Sequence, residues 1–67
     1  MRKKILKKNG FKFIIEYERY DSYTKSIINK IINDDILEVG DIFVEEFGIK
    51  NSKDFSFVII RIKKEAI

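Results

Sequence analysis

The sequence predicts an α+β domain of order ββαββ: a four-stranded antiparallel sheet in strand order 1-2-4-3, with one helix packed on one face. Three observations carry this expectation. Asn9-Gly10 stands between two strand-like runs, and that dipeptide suits a type I′ hairpin turn, whose two central residues both need positive φ. Residues 22–33 repeat apolar side chains at helical spacing. Residues 55–64, FSFVIIRIKK, form the longest β-rich apolar run of the chain. This run is apolar on both sides through its middle, as a central strand would be.

Taken in order, Lys3–Lys8 reads as the first strand and Phe11–Tyr17 as its return. A two-residue loop then pairs Lys8 with Phe11, Lys7 with Lys12, Leu6 with Phe13 and Ile5 with Ile14. Leu6, Phe11, Phe13 and Ile15 share the side facing the core. Asp21 or Ser22 caps a helix from about Ser22 to Asn33 by accepting from its first free N–H groups. Tyr23, Thr24, Ile27, Ile28, Ile31 and Ile32 form its apolar stripe, and its four Ile make it dependent on packing against the sheet. Residues 34–38 connect, and Val39-Gly40-Asp41 turns the chain into a third strand, Ile42–Phe47. Gly48 to Asp54 reads as a polar loop before the final strand. A right-handed crossover with all-antiparallel pairing places that strand inside the sheet.

One helix covers one face. Assigning Phe57 and Ile59 to the core side leaves Ile14, Val58, Ile60 and Ile62, joined by Ile42 and Val44 of the third strand, on the other, with nothing of the chain's own to cover them unless the sheet curls tightly enough to bury that face itself. Contiguous exposed apolar patches mark interfaces, so these residues are the expected partner face of an isologous homodimer.

At 67 residues the chain makes a single small domain, residues 1–67, with a core that supplies only a few kcal/mol. There is no Cys and no His, so neither disulfides, thiolate metal sites nor the commonest general base are available. The carboxylates Asp34, Asp35, Glu38 and Asp41 lack the spacing of a calcium loop. No Ser has a His to serve as its base. The reading is therefore of a protein without enzymatic activity, cofactor or metal. No apolar run approaches the roughly 20 residues that span a bilayer, and no signal-peptide pattern follows the basic N-terminus. A cytoplasmic protein with no membrane contact is expected.

Net charge is +3, unevenly distributed. Arg2, Lys3, Lys4, Lys7, Lys8 and Lys12 fill the first dozen residues without an acid. Residues 34–46 are acidic without a base, and the last third is basic again through Lys50, Lys53, Arg61, Lys63 and Lys64. The N-terminal hairpin is thus a basic ribbon. Such a ribbon guards a sheet edge against aggregation or supplies phosphate contacts to nucleic acid, for which the six N-terminal cations are the candidate residues. The principal functional expectation is a small macromolecule-binding accessory protein that self-associates and has an unidentified protein partner. A short Lys- and Ile-rich chain without an active site resembles in style the accessory proteins of phages, plasmids and archaeal viruses. The alternatives are a nucleic-acid-binding protein using the basic hairpin and, further off, a toxin-type ribonuclease.

Overall fold

The computed structural model describes residues 2–50 and 55–67. Its elements are β1 (Arg2–Lys8), β2 (Phe11–Tyr17), α1 (Ser22–Asn33), β3 (Ile42–Lys50) and β4 (Phe55–Ala66). They form one four-stranded sheet in order β1-β2-β4-β3 with antiparallel pairing throughout, the expected topology. β3 runs on through residues 48–50, where a loop was expected; residues 51–54 lie outside the described residues.

Local chemistry explains the elements. Asn9 and Gly10 have φ of 54° and 80°, the left-handed values a type I′ turn requires, and the hairpin register matches Lys8 to Phe11 and Lys7 to Lys12. Asp21 caps α1: its Oδ1 accepts from the Thr24 N–H at 2.8 Å. That bond is the main cause holding the Asp21 carboxyl below its ordinary value of 3.8. The cap's contribution is complete above the ordinary carboxylate range and is lost as falling pH protonates the group. The C-terminal end closes with the Asp34 N–H donating to the Lys30 carbonyl. Asp35, at φ 51°, then turns the chain away from the helix.

The core lies between α1 and one face of the sheet. Ile28, Ile31 and Ile32 descend from the helix onto Phe13, Ile15, Val58, Ile60 and Ile62, and Leu37 closes one end. Each of these aliphatic burials is worth roughly 1.5–3 kcal/mol. Thr24 is fully buried in the same layer. Tyr23, expected in the apolar stripe, is 48% exposed at the margin of the helix.

The assignment of the two faces of β4 is corrected. Val58, Ile60 and Ile62 belong to the core and are each 0% exposed, so they form no part of an open face. The cause is the β2–β4 register, which sets Ile15 opposite Ile62 and Tyr17 opposite Ile60. Directly opposed residues of an antiparallel pair project to the same side. The parity of residues 58, 60 and 62 therefore joins that of Phe13 and Ile15. Ile59 takes the opposite parity, with Ile14, on the uncovered face. The Phe57 side chain lies outside the described residues.

The turn offers a direct check. A Cβ at Gly10 meets no atom within 4 Å, so only its φ of 80° opposes substitution. Gly10→Val is expected to destabilise the fold by about 1 kcal/mol or more through backbone strain. An unshifted urea midpoint would contradict the turn geometry.

Candidate functional site

The face of the sheet away from α1 is built in rows by the strand registers. One row reads Ile5, Ile14, Lys63, Ile42 from edge to edge; the next reads Lys3, Glu16, Arg61, Val44; a third begins Lys7, Lys12, Glu65. Ile5, Ile42 and Val44 are 53%, 59% and 48% exposed, while Ile14 and Ile59 are half-buried among their neighbours. A shallow groove crosses the centre between Ile14 and Ile42, with Lys3, Arg61 and Lys63 along it. β-branched side chains raised on a pleated surface favour contact with another flat surface, and the charges between them are of both signs.

Lys7 and Lys12 stand opposite each other as expected. Their repulsion is relieved because Glu65 receives both Lys12 Nζ and Lys63 Nζ at 3.5 Å. These pairs are partly exposed and contribute little stability, but they spread the positive charge of the face. The six N-terminal cations do not form one surface. Lys3, Lys7 and Lys12 lie on the uncovered face, whereas Arg2, Lys4 and Lys8 have the parity of the helix side. Lys4 Nζ sits 4.7 Å from the centre of the Tyr20 ring, and Lys8 Nζ donates to Asn33 Oδ1 at 2.7 Å. Of the aromatic residues considered for base stacking, Phe11 and Tyr17 pack against the core, while Tyr20 and Tyr23 are exposed on the helix side. The open face presents no aromatic side chain among the described residues.

Lys64 is the residue whose role sequence reasoning missed. It is 6% exposed, under the connector between α1 and β3. Its ammonium donates to Asp35 Oδ1 at 2.7 Å and to the Leu37 carbonyl at 3.2 Å, and it lies 4.3 Å from the centre of the Phe11 ring. The Lys64 carbonyl receives the Gly40 N–H at 2.8 Å, so one residue fastens both ends of the connector. The signal was its parity with Ile60 and Ile62. This contact gives Asp35 a structural partner, and no cluster of three or more acidic side chains suited to a metal occurs among the described residues. No described helix is long and apolar enough to cross a membrane.

No protein-family model, curated protein or solved structure matches this chain.

The Lys64 contact separates charge from packing. Asp35→Asn keeps the residue's tolerance of positive φ but removes the charge facing a buried ammonium, and since Asp35 is itself 73% exposed it is expected to cost about 1 kcal/mol. Lys64→Met keeps the apolar stem and removes the need for a partner, so it should cost less. Urea unfolding of the two variants checks the order. Asp35→Asn being the milder change would show that the ammonium is solvated.

Proposed function

We propose that the protein is a non-enzymatic, cytoplasmic accessory protein that binds macromolecules and first binds itself, forming a homodimer through the uncovered sheet face. The observation that carries this reading is the set of β-branched side chains, Ile5, Ile42 and Val44 with Ile14 between them, on a face that no element among the described residues covers. Apolar surface of this kind marks an interface rather than ordinary solvated sheet. Val58, Ile60 and Ile62 take no part in it.

A second copy suits the face because a two-fold contact must be self-complementary. Lys3, Lys7 and Arg61 share the surface with Glu16 and Glu46, so cations of one copy have carboxylates available on the other. Nucleic acid suits it less well, because three of the six N-terminal cations have the parity of the helix side.

Ile14 lies on an inner strand of this face, away from the core, so Ile14→Lys should leave the monomer folded. Sedimentation at high ionic strength, where exposed ion pairs are screened and apolar contact persists, should give twice the 8.0 kDa chain mass for the wild type and the single mass for Ile14→Lys. A wild type that stays at 8.0 kDa at high concentration, or an Ile14→Lys that still dimerises, would remove this reading.

A further inference from the structure

The sheet ends in two edge strands, β1 and β3, each paired on one side only, and the charges of their described side chains are opposite. β1 carries Arg2, Lys3, Lys4, Lys7 and Lys8 with no acid. The described side chains of β3 carry Glu45 and Glu46 with no base, and Asp41 precedes them. Lysines on an edge ordinarily keep strands from pairing. A basic edge blocks another basic edge; it attracts an acidic one.

The backbone sets which residues an incoming strand would meet. The Glu18 N–H donates to the Ile59 carbonyl, and the Ile67 N–H to the Gly10 carbonyl. Antiparallel strands alternate the direction of their peptide groups. Residues 12, 14 and 16 of β2 therefore turn toward β4, and residues 11, 13, 15 and 17 toward β1. By the hairpin register, the even residues of β1 are engaged with β2, so Lys3, Ile5 and Lys7 present their N–H and C=O groups outward. On the other side, the Lys64 carbonyl points to β3, so residues 58, 60, 62 and 64 serve that strand. Phe43 and Glu45 answer them, which leaves Ile42, Val44 and Glu46 presenting their N–H and C=O groups outward.

We infer that these edges are complementary and that copies of the chain join β3 of one to β1 of the next, extending the antiparallel sheet from molecule to molecule. One register matches every outward peptide group of β1: Lys3 opposite Glu46, Ile5 opposite Val44, Lys7 opposite Ile42. Between these rungs it sets Lys4 opposite Glu45 and Leu6 opposite Phe43, and just beyond β3 it brings Lys8 to Asp41. Each pair has a common face parity, so the helices of successive copies lie on one side of the extended sheet. Shifting by two residues toward the β3 C-terminus sets Ile5 against Glu46 and Leu6 against Glu45, which discards the match. The strand directions also agree: β1, β2, β4 and β3 alternate, and the next β1 continues the alternation. The contact joins two different surfaces, so it is heterologous and generates an open chain or a ring. It deepens the self-association proposed above but joins the backbone edges; Lys3, Val44 and Glu46 also border the open face, so Ile14→Lys, which alters the face and neither edge, separates the two contacts.

Sedimentation velocity of the full chain, as a function of concentration and salt, tests it. At low salt the wild type should grow in mass with concentration beyond the dimer, and this growth should recede as salt screens the edge charges. Glu45→Lys with Glu46→Lys, and separately Lys3→Glu with Lys4→Glu, should each lose every species above the dimer. An equimolar mixture of the two should regain them, since each altered edge then meets its complement. Val44→Pro should lose them as well without disturbing β4, because the N–H it removes points outward. Ile14→Lys should still grow, since Ile14 lies on neither edge. No growth of the wild type at low salt, or a mixture that does not recover, would overturn the inference. Should either charge-reversed variant fail to fold by circular dichroism, the wild-type salt series and Val44→Pro still decide it.

Discussion

A single helix of 12 residues over a four-stranded sheet leaves the two faces of that sheet unequal, and the other features of the molecule follow from the inequality. The hydrophobic side chains of β2 and β4 that fall under α1 become a dry core. Those of opposite parity stay at the surface whatever their hydropathy. A chain of this size has little stability in reserve, so the parity that reaches the helix must carry the best apolar residues. Ile15, Ile60 and Ile62 do so, and the β2–β4 register that brings them level determines which surface is left for partners.

Lys64 lies at the boundary of this arrangement. Its position in β4 is on the buried side, where a cation is costly to desolvate. The connector answers with Asp35 and the Leu37 carbonyl, and the Phe11 ring lies beneath the ammonium. Asp35 is itself largely exposed, so only one partner of the ion pair is withdrawn from water. The contact is better understood as a guide for the path from α1 to β3 than as a large source of stability. That path sets where β3 enters the sheet, and so what the acidic edge presents.

The parts of the fold legible in the sequence were those written in local chemistry. Asn9-Gly10 specifies its own turn and, through it, the β1–β2 register. The 3.6-residue period of Thr24, Ile28, Ile31 and Ile32 marks a helix without reference to anything else. The strand order followed from connection rules applied to four strands and one crossover. The face of β4 was not legible, because residues 55–62 are apolar in both parities and the choice rests on a pairing with β2 across a long separation in sequence. For the same reason the candidate partner face was partly misread: Ile14 is on the uncovered side, while Val58, Ile60 and Ile62 are beneath the helix. Lys64 escaped notice because a charged residue at a strand end reads as solvated until the strand's parity is known.

The distinction between the two faces is the central claim, and thiol labelling measures it directly because the chain has no cysteine of its own. Ile62→Cys and Lys63→Cys are adjacent in β4 but project to opposite sides. In dilute protein, the account predicts that Lys63→Cys reacts at the rate of an exposed thiol, whereas Ile62→Cys reacts only at the rate of unfolding. Ile62→Cys should stay protected at every protein concentration, while any protection of Lys63→Cys should appear only as concentration rises. Rapid labelling of Ile62→Cys in the folded monomer, with Lys63→Cys protected, would contradict the assignment of the core and with it the identity of the open face.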